Sequence, residues 1–218
     1  KEIMKCDLFQ VYGLTETAGA ITILMPEDHD PEKGKLRSCG KALNSVEIKV
    51  VDDEGNEVKT GDIGEVISKS PLNMKGYWNR PDATEEAIKD GWFYSGDAGF
   101  FDDEGYLYIH DRVKDMIVSG GENIYPAEVE NALMSHPEIA DAAVIGVPDD
   151  KWGESVKGFV VLQPDSSLDE TEIISYSRTQ IAGYKCPKTI NFIEALPRNP
   201  SGKILRRELR EPFWEGKD

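Results

Sequence analysis

The chain has 218 residues, with 41 Asp or Glu against 25 Lys or Arg, for a formal net charge of −16. Such a surplus argues against a nucleic-acid binder, which needs a basic face to displace counterions, and it repels anionic substrates unless a site locally reverses the sign. The length allows one good hydrophobic core or two modest ones.

The first hundred residues read mostly as strands and turns. VEIKVVD at 46–52 and GEVISKS at 64–70 are predicted strands, the first followed by the turn DDEGN and the second preceded by TGDI. One short helix is predicted at 83–90, ATEEAIKD, with Pro81-Asp82 as its start signal and Gly91 as its stop. Strands resume through GFFDDEGYLYIHD, where Asp103, Glu104 and Gly105 supply a hairpin turn.

From about Arg112 the pattern becomes strand, helix, strand, strand, helix, strand. The helix near 127–135 has Pro126 in its first turn, Val129, Ala132 and Leu133 on one face, and Pro137 beyond its end. Strands follow at DAAVIGV and VKGFVVL. A second helix is predicted over 169–182, with Asp169, Glu170 and Glu172 at its positive end. TINFIEAL, 189–196, makes the last strand.

Cys6, Cys39 and Cys186 are odd in number and lack CxxC spacing, which suggests neither a disulfide framework nor a zinc site and fits a reducing cytoplasm. The longest apolar runs, AAVIGV and FVVL, are strand-length, so no transmembrane segment is expected. The chain opens on Lys1 without a charged-then-apolar leader, so no export signal is expected, and a partial chain is one reading of that start.

SGK at 201–203 invites comparison with a phosphate loop. That loop needs Gly six residues before its lysine and Ser or Thr after it, and those positions hold Pro197 and Ile204. There is no GxGxxG either, so a dinucleotide fold has no support. Taken alone, Lys203 is a solvated surface lysine.

Four stretches together change that reading: QVYGLTETAG (10–19), WFYSGDAG (92–99), DRVKDMIVSGGENIYPAEVE (111–130) and PRNPSGK (197–203). In order and spacing they resemble the adenylate-forming superfamily, specifically the C-terminal part of an acyl-CoA synthetase of the long-chain fatty-acid-CoA ligase type. GYWNRPDAT (76–84) and DDKWGE (149–154) extend the resemblance over essentially the whole chain.

The resemblance implies a mixed α+β fold. Residues 1–110 would form a β-rich C-terminal part of the large ATP- and acyl-binding domain, and 111–218 a small, mobile α+β domain with a central antiparallel sheet. It implies a two-step reaction: a carboxylate attacks the α-phosphate of ATP to give acyl-AMP and pyrophosphate, then coenzyme A displaces AMP to give a thioester. The partners implied are fatty acid, ATP, Mg²⁺ and coenzyme A, with any homo-oligomer formed through the rest of the large domain. An acyl-AMP ligase or an adenylation domain serving a carrier protein is the alternative; a non-catalytic binding module fits less well, because the implied site residues are intact.

By the same resemblance, Lys203 is the cation that stabilises charge at the α-phosphate, and a lysine on a flexible stem suits a group that arrives and leaves. Glu16 would hold Mg²⁺, Tyr12 and Gly13 would line the adenine and acyl wall, and Thr15 would offer a hydroxyl to phosphate. Asp97 would accept the ribose hydroxyls, with Arg112 approaching the same sugar and Ile109 touching adenine. Lys114 falls at the hinge, and Gly120, Gly121 and Trp152 would flank the coenzyme A path.

Glu16, Tyr12, Asp97, Arg112, Ile109, the Gly120-Gly121 pair and Trp152 have plainer readings, in that order: an exposed turn glutamate, a core tyrosine, a turn-capping aspartate, a surface ion pair, a packed isoleucine, an ordinary glycine turn and a structural tryptophan. Arg206 and Arg207 either tether the tail or attract anionic coenzyme A. PRNPSGK also resembles the stretch in which family members are silenced by lysine acetylation, which removes the charge. The Ser/Thr/Gly-rich loop that grips the β- and γ-phosphates is not among these residues, so the chain alone is not expected to adenylate an acid.

Overall fold

The structure is a computed structural model in which residues 6–215 are described. It is a mixed α+β protein whose chain divides into two compact units between Val113 and Lys114.

In the first unit, β1 (Gln10–Leu14) and β2 (Gly19–Leu24) form an antiparallel hairpin, and β2 also pairs with β3 (Lys41–Ala42). A bulge falls between Tyr12 and Gly13, and a Cβ at Gly13 would run into the Gly19 carbonyl. Only glycine allows the two arms to approach so closely here.

A second sheet contains β4 (Glu47–Val51), β5 (Gly64–Lys69), β6 (Ile88–Lys89), β7 (Trp92–Phe101) and β8 (Leu107–Arg112), all antiparallel. β5 takes one edge of β7, while β6 and β8 share the other. Val50, Val66 and Leu107 are buried at its centre, with Tyr12, Ile48, Phe101 and Ile109 packed against them. The turn expected at Asp103 to Gly105 is present: Gly105 N–H donates to Asp102 O at 2.9 Å and Gly105 has φ +80°.

The predicted helix at 83–90 is instead α1 (Pro81–Ala87), and Ile88 and Lys89 leave it to pair with Phe93 and Trp92. Proline at the first helical position starts the helix earlier than the apolar pattern suggests, and the β7 edge claims the last two residues.

The second unit is built on β9 (Ile117–Ser119), β10 (Glu122–Ile124), α2 (Pro126–Met134), β11 (Ile139–Asp149), β12 (Gly153–Leu162), α3 (Glu170–Gln180), β13 (Thr189–Phe192) and α4 (Arg206–Trp214). The sheet is antiparallel except for β13, which runs parallel to β12. The last predicted strand is therefore half its expected length, ending at Phe192 rather than residue 196.

α3 begins with a capping box: Asp169 Oδ1 accepts from Glu172 N–H at 2.9 Å, and Glu172 Oε2 accepts from Asp169 N–H at 3.0 Å. α2 buries Val129, Ala132 and Leu133 against one face of β11, beside Ala142 and Val144. Full burial of such aliphatic side chains stabilises by about 1.5–3 kcal/mol each.

The alternate residues Ala143 and Ile145 point to the other face, where Leu209 and Phe213 of α4 cover them. AAVIGV is thus continuous rather than alternating because both faces of β11 are covered, the condition under which strands lose their alternation. Sequence reading missed α4: RRELREPFW carries Pro212, which lacks the N–H a helix interior needs, and its charge resembles a solvated tail. Trp214 Nε1–H donates to Gly146 O at 3.0 Å and fixes the end of α4 to β11.

Candidate functional site

In the first unit the candidate residues fall into two clusters. Asp97, on β7, is 6% exposed. Its Oδ2 accepts from the Tyr12 hydroxyl at 2.6 Å, and its Oδ1 faces Arg112 Nε at 2.8 Å. Asp97 and Arg112 are directly paired in the β7–β8 ladder, which sets this geometry without long-range folding. Ser95 supports it from below, its Oγ accepting from Asp97 N–H at 3.0 Å and donating to Val66 O at 2.6 Å.

Burial and the Asp97 charge push the Tyr12 phenol pKa well above its ordinary value, so the hydroxyl stays a donor. Arg112 is half-exposed at the edge of this cluster. Ile109 is partly buried and packs against the core of Val50, Val66 and Leu107.

The second cluster is the turn between β1 and β2, a single 3₁₀ turn over Thr15–Thr17. Thr17, which sequence reading did not single out, is fully buried and braces the turn. Its Oγ1 accepts from Leu14 N–H at 2.9 Å and lies 2.7 Å from Gly19 O. Thr15 is left exposed and Glu16 half-exposed, with Glu16 Oε1 accepting from the Tyr77 hydroxyl at 2.9 Å. No group of three or more His, Cys, Asp or Glu that could enclose a metal occurs among the described residues. Glu16 would offer a single carboxylate, which fits Mg²⁺, an ion usually held by one or two carboxylates together with substrate phosphates and water.

In the second unit, Lys203 sits on a turn organised by Asn199, another residue sequence reading passed over. Asn199 Oδ1 accepts from Ser201 N–H at 3.0 Å, Ser201 Oγ–H at 2.7 Å and Lys203 N–H at 2.9 Å. Asn199 N–H donates to Lys203 O at 2.9 Å, and Arg198 ties the turn to the sheet through Asp141 Oδ2 at 2.6 Å. Lys203 itself is exposed, and among the described residues no carboxylate pairs with its ammonium. The dipeptides Asn-Pro and Ser-Gly carried the turn signal from which this hub could have been read.

The two arginines of the tail separate. Arg206 Nη2 bridges both oxygens of Glu130 at 2.9 and 2.8 Å, so it tethers the start of α4 to α2, while Arg207 is exposed. Gly120 and Gly121 form the β9–β10 turn with φ +64° and +86°. A Cβ on Gly120 would lie 2.6 Å from Trp152 Cε3, and Gly120 N–H donates to Trp152 O at 2.8 Å; a Cβ on Gly121 would meet open space. Gly120 and Trp152 thus form one contact. Lys114 is exposed in the 3₁₀ turn Val113–Asp115 at the division between the units.

Residues 1–78 match the family model of the AMP-binding enzymes, and residues 128–203 match that of the AMP-binding enzyme C-terminal domain. The chain is 45% identical over 212 residues to the fatty acid–[acyl-carrier-protein] ligase ScoC of Streptomyces coeruleorubidus, covering 97% of this chain and 41% of that protein. It is 47% identical over 207 residues to the long-chain-fatty-acid–CoA ligase FadD13 of Mycobacterium tuberculosis, covering 95% and 40%. Among solved structures, o-succinylbenzoate CoA synthetase from Bacillus subtilis, in complex with its acyl-adenylate intermediate, superposes with a TM-score of 0.85 at 44% identity, covering 93% of this chain and 41% of that one. The chain therefore spans about 41% of the length of such relatives.

Proposed function

Because the chain belongs to the adenylate-forming superfamily of AMP-binding enzymes, we propose that it is part of an ATP-dependent acyl-CoA ligase acting on fatty acids. The observation that carries this reading is Lys203, an ammonium without a carboxylate partner among the described residues of a chain of net charge −16, presented on a turn braced by Asn199. A cation so placed is available to phosphate oxygens, whose charge grows as the carboxylate attacks.

Each remaining candidate takes a role its geometry can support. Asp97 and Arg112 hold the ribose, Tyr12 and Ile109 back the adenine, and Gly13 keeps the β1–β2 arms close enough to form that wall. Thr15 and Glu16 face the phosphates. Mg²⁺, held through Glu16, neutralises phosphate charge. Gly120, Gly121 and Trp152 flank the coenzyme A arm, and Lys114 is the hinge of a mobile domain running from 111 to 218. The 218 residues lack a Ser/Thr/Gly-rich phosphate loop, so by themselves they do not adenylate.

The similarity to ScoC supports a second reading, in which the acyl group passes to a carrier protein. The test is the full-length polypeptide assayed for fatty-acid-dependent exchange of pyrophosphate into ATP, then for thioester formation with free coenzyme A against a carrier protein. The first reading expects acid-dependent exchange and acyl-CoA with AMP release. Exchange with transfer only to the carrier supports the second, and absence of exchange refutes both.

A further inference from the structure

The segment 74–84 lies between β5 and β7, and none of its residues has a part in the function proposed above. It meets Glu16 twice. Met74 N–H donates to the Glu16 carbonyl at 2.6 Å, and the Tyr77 hydroxyl donates to the Glu16 carboxylate at 2.9 Å, from a residue 61 positions away in sequence. Both the backbone and the side-chain tip of Glu16 are therefore held by one loop.

That loop is itself fixed. Tyr77 N–H donates to Thr84 Oγ1 at 2.8 Å, Thr84 Oγ1–H donates to Arg80 O at 2.8 Å, and Tyr77 forms an isolated bridge with Arg80. Tyr77 thus rests on the first turn of α1 and lines a cavity of about 660 Å³ together with Trp78, Tyr94, Ser95 and Gly96. Burial, followed by the bond to Glu16, raises the Tyr77 phenol pKa, while the nearby Arg112 guanidinium opposes that rise; the hydroxyl remains a donor.

We propose that Tyr77 is a positioning residue for Glu16, holding its carboxylate in the single orientation in which Glu16 meets the phosphate-bound cation. The inference rests on the metal role proposed above for Glu16. A half-exposed glutamate loses rotamer freedom when it is fixed, and a hydrogen bond from Tyr77 supplies that fixing before the cation arrives. A carboxylate has about four lone-pair sites, so one phenol hydrogen leaves room for the metal. Partners of this outer kind orient metal ligands, and their loss typically weakens metal binding about 10- to 100-fold.

The test uses Tyr77→Phe, Glu16→Gln and the double variant of the full-length protein. Two readouts are taken: Mn²⁺ binding, by electron paramagnetic resonance with a non-hydrolysable ATP analogue present, and the Mg²⁺ concentration for half-maximal pyrophosphate exchange. Tyr77→Phe is expected to weaken Mn²⁺ binding and raise the Mg²⁺ requirement by about 10-fold. Thioester formation from supplied acyl-AMP should be unchanged, with little further effect in the Glu16→Gln background, because residues acting through one group are not additive. An unchanged metal requirement in Tyr77→Phe, beside a raised one in Glu16→Gln, overturns this inference alone. An unchanged requirement in Glu16→Gln overturns the metal role of Glu16 and this inference with it. Equal loss in both half-reactions shows a merely structural bond and also overturns it.

Discussion

Replacing Gly120 with alanine separates two physical costs that the neighbouring Gly121 incurs only in part. Both residues hold left-handed backbone, φ +64° and +86°, which costs an L-residue about 1–2 kcal/mol. At Gly121 a new Cβ meets nothing within 4 Å, so Gly121→Ala should cost that amount alone. At Gly120 the new Cβ would stand 2.6 Å from Trp152 Cε3. The indole must swing away, giving up its place over the turn and its cation–π contacts with Lys151 and Lys188, 4.5 and 5.7 Å from the ring.

Overpacking of this kind adds about 1–3 kcal/mol, so Gly120→Ala should destabilise the second unit by about 2–5 kcal/mol in all. Urea unfolding of the single variants, Trp152→Ala and the double variant measures it as a cycle. The Gly120→Ala and Trp152→Ala effects should fail to add by about 1–3 kcal/mol, because removing the indole removes the clash. Equal costs at the two glycines, or full additivity, would refute the reasoning.

Two further substitutions bear on the turn and the core. Asn199→Ala removes the acceptor of three hydrogen bonds under Lys203 and should slow adenylation by about 10-fold or more through misplacement of the ammonium, leaving thioester formation from acyl-AMP intact; stopped-time assays of each half-reaction check it. Lys157 is 8% exposed, its Nζ 3.1 Å from Thr189 Oγ1 and 5.0 Å from the Phe213 ring centroid, and burial lowers its pKa against the weaker pull of Glu170. A lysine depressed in the folded state carries a penalty that is full below the folded pKa and relieved as pH rises from there toward the unfolded value near 10.4. Lys157→Met should therefore raise the unfolding midpoint most at neutral pH, with the gain shrinking toward pH 10; a gain independent of pH would contradict this.

What the sequence disclosed, and what it hid, follows from the range of the interactions involved. The helices α2 and α3 were legible because their signals are local: Pro126 at the first position, Val129, Ala132 and Leu133 on one face, and Asp169, Glu170 and Glu172 at the positive end of α3. The β7–β8 pairing that joins Asp97 to Arg112 follows from one short turn. α4 was hidden because its reason for existing lies 60 residues earlier, in the bare second face of AAVIGV. Lone Pro212 and the Arg/Glu content argued the other way.

The site was legible where motif residues bear the chemistry, and illegible where other residues hold them. Thr17, Tyr77 and Asn199 act by hydrogen bonds whose partners are set by turn geometry, which residue type alone does not reveal. Arg206 and Arg207, alike in sequence, diverge only because Glu130 on α2 faces one of them.

The account stands most directly on Lys203. In the full-length protein, Lys203→Ala should reduce acid-dependent pyrophosphate exchange by about 10² to 10³, the scale of one preorganised electrostatic group. The same variant, given acyl-AMP, should form thioester at the unaltered rate. Equal loss of both half-reactions, or loss of neither, would contradict it.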